Sequence, residues 1–475
     1  MANRFWTILW PWPLLSFALV GWTLSTACVS RAFGYDTDVI DMPVLAITGL
    51  LLAAGLAYAV IALRLDGSMP TDGLSQSSAF AIMVAAGLAA RLILFSSEPI
   101  LEDDYQRYLW DGAMTASGLN PYAYAPKAVM EGGATHPLAA IAASSGLVFE
   151  RIGHAELTTI YPPLAQGAFA LAHRIAPFSL TAWRSVLLVF DLATLALIVA
   201  GLKALARSSQ WAVLYWWNPI VIKELFNGAH MDGLVPPFVL LALLLAQRRP
   251  LLATAAVGAA FGIKLWPVLL LPLIWRPLLG DWRRLGAAGG VFVPFAIVTL
   301  WPQIAAGLDR QAGIVAYASS WSRNSALTPA LEALARSAGG GAHAALAIRG
   351  LIAVALAAAV VALAWRPVAT LDDLMRRATL AVGALLLLSP AQYPWYSIWL
   401  APLIAIHPIP GFLLLPAVLP LYELYFYFAA REIPNVFNHY VVWAIWIPVW
   451  AMLLADLRQG RLGCRETTPA NLRST

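Results

Sequence analysis

The densest chemistry in the chain is the run Glu102-Asp103-Asp104-Tyr105-Gln106-Arg107-Tyr108, followed by Trp110-Asp111-Gly112 and then by Asn120-Pro121-Tyr122. Three consecutive carboxylates directly after an apolar stretch crowd negative charge, so at least one pKa must rise unless a cation or a metal ion compensates. If a short helix runs over 104–113, its spacing puts Asp104, Arg107, Tyr108 and Asp111 on one face and Leu101, Tyr105, Leu109 and Gly112 on another. A solvated acidic cap on a surface helix is the bland alternative. The aromatic and Asn-Pro-Tyr setting argues against it.

Other positions carry chemistry singly. His230 and Asp232 sit in a short turn between apolar runs, where Asp232 reads either as a helix N-cap or as a second acidic element. Lys264 interrupts an apolar run, at a cost of about 2.5–3.5 kcal/mol on insertion scales; a phosphate partner would offset that cost, and snorkelling would avoid it. Glu224 is equally costly, and its neighbour Lys223 is expected to neutralise it only loosely, because adjacent residues diverge around a helix. Arg184 and Asp191, seven apart, face one groove and predict an interhelical polar clamp. Arg323, between Trp321 and Asn324, is either a solvated loop cation or a binding one. Trp395, Tyr396, Tyr422, Tyr425, Tyr427 and His439 form an aromatic group that reads as interfacial anchors or as a sugar platform.

The elements that hold these residues must use lipid as solvent. Of 475 residues, 60% are hydrophobic and only 12% charged, which excludes disordered chains, disulfide scaffolds, coiled coils and nucleic-acid modules. Apolar runs predict spans near 8–28, 43–63, 78–96, 182–203, 211–227, 232–246, 285–301, 346–365, 376–390, 394–407, 411–429 and 438–456. The stretch 251–275 is one span or two shorter helices turning at Lys264, and 162–177 is a span or a surface helix. With a cytoplasmic amino terminus, a 162–177 segment that does not cross and a 251–275 segment that crosses twice, sixteen Lys/Arg fall in short inner connections and nine in longer outer ones, counting Arg4 and the four tail arginines as inner. Both termini are therefore predicted inside, the formal charge of +5 reads as topology, and 97–181 and 302–345 become the long outer loops. The chain then divides into 1–96, an acidic loop 97–181, central spans 182–301, a second loop 302–345, spans 346–457 and a tail 458–475. The first apolar run lacks a small-residue cleavage site, so Met1 is expected to be the mature end. Cys28 and Cys464 are not expected to pair, the seven histidines show no zinc spacing, and no Walker loop or dinucleotide fingerprint is present.

The order and spacing of several segments resemble the GT-C superfamily of membrane glycosyltransferases, close to the branch that uses polyprenyl-phosphate mannose. Glu102-Asp103-Asp104-Tyr105, Asn120-Pro121-Tyr122 and Tyr161-Pro162-Pro163-Leu164 are similar to the acidic loop of glycosylphosphatidylinositol mannosyltransferases, with Glu102 in place of the first aspartate. Asp104 with Arg107-Tyr108 also resembles the D-E-x-R-Y element of the protein mannosyltransferase and aminoarabinose transferase branch. Asn218-Pro219, Glu224, Asn227 and His230-Met231-Asp232-Gly233 resemble a segment of bacterial members, as do Gly262–Pro267, Trp321–Ser325 and Gln392–Tyr396. Two extra spans before the acidic loop, and an expected absence of a soluble carboxy-terminal domain, depart from the commonest pattern.

The resemblance implies an all-α polytopic transmembrane bundle, of about 13–14 spans on the apolar runs above, whose long acidic loop carries short interfacial helices. It implies an inverting transferase that moves a hexose, mannose first, from a polyprenyl-phosphate donor to a hydroxyl of a glycolipid or glycan. The site would face the periplasm or exterior from the plasma membrane. Asp104 takes the position of the general base, with Asp103 as fallback. Arg107, Lys264, Arg323, Tyr108, Tyr161, His230, Gln392 and Tyr393 are the candidates for donor phosphate and sugar. Glu102, Asp104 and Asp232 are candidate ligands of a magnesium or manganese ion, which some relatives do without. The competing readings are a lipid or small-molecule transporter or flippase gated by the acidic loop, and a catalytically silent scaffold. Transport favours charges at mid-membrane on broken helices.

Overall fold

Long apolar runs in lipid must satisfy their own backbone hydrogen bonds, and the helix does so locally. The computed structural model describes residues 12–65 and 73–462; it is helical throughout, with no strand among those residues. Met1, Arg4, the start of the 8–28 span, Cys464, Arg465 and Arg473 lie outside the described residues. By length and composition, eight described helices suit a membrane crossing: Trp12–Ser30, Val44–Arg64, Ser77–Leu94, Leu180–Ala204, Trp282–Ala306, Ala344–Trp365, Pro410–Ala429 and Pro434–Arg458. A ninth candidate is a bent pair, Pro219–Phe226 and Met231–Leu245, whose axes turn by 107°.

The all-α polytopic expectation holds, while the count of continuous spans is lower than expected. Proline is the main reason. The expected spans at 211–227, 232–246 and 394–407 break into short helices at Pro219, Pro236-Pro237, Pro394 and Pro402, each near a helix start, where the missing N–H costs nothing. The 251–275 stretch takes the second of its two expected forms, Pro250–Phe261 and Trp266–Leu278, with Lys264 in the break. The 376–390 run lies in a continuous helix, Leu371–Leu388, whose first two turns carry Asp372, Asp373, Arg376 and Arg377.

The 162–177 segment becomes Pro163–Ile175, at 13 residues shorter than the roughly 20 a span needs. It packs along the acidic helix Asp104–Ala116, where Gly112 meets its backbone: a Cβ there would lie 2.5 Å from the Phe169 carbonyl oxygen. Tyr108 stacks on Phe169 with ring centres 4.9 Å apart. Arg184 and Asp191 do clamp Leu180–Ala204 to its neighbours, with separate partners. Asp191 accepts from Arg91 and Tyr215 at 2.5 Å each, while Arg184 donates to the carbonyls of Phe95, Ser97 and Asn227. Trp183, Trp216 and Trp446 are core residues rather than belt anchors.

Candidate active site

Asn227 builds the site's foundation. Its amide accepts from the Ile100 N–H at 3.0 Å and donates to Ser97 Oγ at 2.9 Å and the Glu98 carbonyl at 2.7 Å, tying the segment before the acidic triplet to the turn before His230. Two non-glycine residues then adopt left-handed backbone, Leu101 at φ 57° and Ala229 at φ 59°, a conformation that surrounding structure must impose. These two kinks bring Glu102 and His230 face to face, with Nε2 3.2 Å from Oε2.

Asp104 is the first residue of its helix and lines a cavity of about 710 Å³, with 39% of its side chain exposed. Tyr108 donates a long hydrogen bond to its Oδ2 at 3.4 Å, and His230 Nδ1 stands 3.8 Å away. Burial pushes the Asp104 pKa up to about 6; His230 and Lys264 oppose the rise, and Asp103 and Glu102 add to it. The helix amino terminus favours the ionised form that remains available near neutral pH. Asp103 precedes the helix without capping it and also lines the cavity, its carboxylate packed against Gly153, where a Cβ would lie 2.5 Å from Oδ2. Glu102 is raised to about 8 by burial, against the nearby Lys223 ammonium.

Cations and rings form other parts of the wall. Lys264 projects from the break after Phe261; its Nζ lies 2.6 Å from Asp232 Oδ1 and over the rings of Tyr396 and Trp399 at 4.5 and 4.8 Å. Trp399 Nε1 donates to the same Asp232 oxygen at 2.6 Å. Asp232 is therefore a partner of Lys264, not a helix cap. Arg323 is held by its backbone, which donates to the Pro390 carbonyl at 3.2 Å and accepts from the Gln392 N–H at 2.9 Å, and its guanidinium lies 4.1 Å over Tyr425. Tyr108, Tyr161, Tyr393, Trp395, Tyr422 and Tyr425 complete the aromatic lining, and Tyr427 and His439 stand outside it.

Several expected site residues serve the site indirectly. Arg107 touches the cavity, yet its donors are committed to Asp111 at 3.1 Å and the Leu157 carbonyl at 2.9 Å. Asp111 also accepts from Thr159 and Gln166, which pins the loop to the acidic helix. Gln392 is buried away from the cavity and donates to the Leu387 carbonyl, so it braces Arg323 rather than facing a ligand. His230 lies fully buried behind Asp104, stacked 3.9 Å from Trp395. The expected metal set of Glu102, Asp104 and Asp232 is not assembled, because Asp232 is already taken by Lys264 and Trp399. Lys223 and Glu224 do meet, at 3.2 Å, since the long lysine stem bends into a shared cluster with Glu102 and Glu423. Glu423 escaped the sequence reading, although a carboxylate inside an apolar run is itself a signal. So did Tyr317, whose hydroxyl lies 2.9 Å from that of Tyr396.

The helical membrane bundle thus gathers an ionisable carboxylate, two cations and a ring-lined wall around one cavity, the layout of a ligand site in a polytopic membrane protein. Residues 160–390 match the model of glycosyltransferase family 87, a GT-C-type family of membrane glycosyltransferases, and this match supports a membrane glycosyltransferase of that type. It covers slightly less than half of the chain and includes Tyr161, His230, Asp232, Lys264 and Arg323, while the acidic triplet lies before it. No curated protein and no solved structure matches the chain.

Proposed function

We propose that the protein is an inverting glycosyltransferase that moves a hexose, mannose in the first instance, from a polyprenyl-phosphate donor to a hydroxyl of a glycolipid or glycan acceptor, on the periplasmic or exterior face of the plasma membrane. The observation that carries this reading is Asp104, a carboxylate with a pKa near 6 at a helix start on the wall of a large cavity shared with Lys264 and Arg323. The acceptor hydroxyl loses its proton to Asp104 as its oxygen attacks the anomeric carbon. The bond from that carbon to the phosphate oxygen breaks on the opposite side, and the electron pair leaves with the phosphate. One displacement inverts the centre and needs one base. Lys264 and Arg323 are placed to meet the charge that develops on the leaving group, and the rings of Tyr396, Trp399 and Tyr393 offer faces to a sugar.

One observation favours the transporter alternative: Lys223 and Glu224 lie on the first helix of the bent pair and His230 in its break. The void beside Lys223, Glu224 and Glu423 is only about 10 Å³, room for roughly one water and not for a solute. The test is donor choice. Purified protein given polyprenyl-phosphate hexoses and nucleotide hexoses should use only the former and yield the inverted anomer by nuclear magnetic resonance. Transfer from the nucleotide sugar, or retention of configuration, contradicts the proposal.

A further inference from the structure

The cluster behind Asp104 has no role in that chemistry. Lys223 Nζ lies 3.3, 3.2 and 3.0 Å from Oε1 of Glu102, Glu224 and Glu423. Three ionised carboxylates against one ammonium would leave two negative charges where burial makes them costly. The Oε2 atoms of Glu102 and Glu224 lie 3.2 and 3.5 Å from His230 Nε2, and the latter oxygen is also 3.4 Å from Lys223. His230 is fully buried, yet neither of its ring nitrogens makes a hydrogen bond. Buried polar nitrogens are seldom left in that state.

We infer that Glu102, Glu224 and His230 bind a divalent transition-metal ion of the zinc or manganese type. Their three ligand atoms all lie within 4.8 Å of one another. Separations of 3.2 and 3.5 Å from the imidazole nitrogen suit ligands placed about 2.0–2.2 Å from one shared ion. An imidazole among the carboxylates selects such an ion over magnesium or calcium, and its two charges cancel the cluster's excess. Metal on Nε2 fixes the ring proton on Nδ1, the nitrogen that faces Asp104 Oδ2 at 3.8 Å. Asp104, His230 and the ion then follow the carboxylate–histidine–metal order in which an outer carboxylate orients a metal-bound ring. His230 becomes a positioning residue for Asp104, and the ion sits behind the cavity rather than on the donor phosphate. This site goes beyond the proposed reaction and is independent of the sugar and the lipid.

Full-length protein purified on a histidine-free tag, stripped with chelator and dialysed against zinc or manganese chloride should retain one ion per chain by plasma mass spectrometry, and its thermal midpoint should rise. His230→Gln and Glu224→Gln should lose retention, while Glu131→Gln, on an exposed side chain, should keep it. Because the cluster variants can also lose their fold, the wild-type chain is decisive by itself and a variant counts only when it is shown to be folded. If it retains no zinc or manganese, or if folded His230→Gln retains as much as wild type, the site is overturned.

Discussion

Asp104 can accept a proton only while ionised, and burial has raised its pKa to about 6. Turnover should therefore fall as pH drops through about 6, as measured by a pH–rate profile at saturating donor. The stability effect has the opposite sign. A carboxyl whose folded pKa exceeds its unfolded value of about 3.9 destabilises the native state at neutral pH, and this penalty disappears as pH falls through about 6 towards 4. Asp104→Asn should then reduce turnover about 10²–10⁴-fold without lowering the thermal midpoint at neutral pH. Lys264 behaves differently: Lys264→Met alone strands the buried Asp232, and breaking such a pair costs about 3–5 kcal/mol. Adding Asp232→Asn should restore stability in a denaturation series but not turnover, which separates structural pairing from leaving-group stabilisation. Asp104 and Lys264 stood out in the sequence because charge beside apolar runs is expensive, and Arg323 through its Trp321 and Asn324 neighbours. The union of Lys264 with Asp232 was not, since the two are far apart along the chain and meet only through the helix break.

The acidic helix is positioned by backbone contact as much as by side chains. Gly112 rests on the Phe169 carbonyl, and a backbone atom cannot swing aside as a side chain can. Gly112→Ala should push Asp104–Ala116 off Pro163–Ile175, costing about 1–3 kcal/mol in a denaturation series and displacing Asp104 enough to lower turnover. The helix from 104 followed from periodicity, while the break at Lys264 and the short helix in 162–177 were each one of two forms the sequence left open. The kinks at Leu101 and Ala229 did not, because neither residue type favours the left-handed region; tertiary bonds from Asn227, Arg184 and Trp183 impose them. Gln392 was misread for a related reason. Its motif marks a chain position, and the fold uses that position to hold Arg323 by main-chain bonds.

Across the molecule, apolar composition and its runs, with the family resemblance, predicted a helical polytopic membrane protein, and the described residues bear out the helical part. The apolar runs overcounted continuous spans because mean apolarity does not register the prolines that divide 211–246 and 394–407 into short helices. Those breaks bring Asp232, Lys264 and Tyr396 to one cavity with Asp104. The Lys/Arg bias predicts that the acidic loop lies outside. In a chain with both Cys28 and Cys464 replaced, Glu131→Cys on the exposed loop should react with a membrane-impermeant thiol reagent in intact cells. Reaction only after permeabilisation would reverse the orientation. The central claim is that Asp104 is the base for sugar transfer from a lipid-linked donor. Its most direct test is transfer of labelled mannose from synthetic polyprenyl-phosphate mannose by purified wild-type and Asp104→Asn proteins of equal thermal stability. The account predicts turnover by the former and its near-complete loss in the latter; equal rates for the two would contradict it.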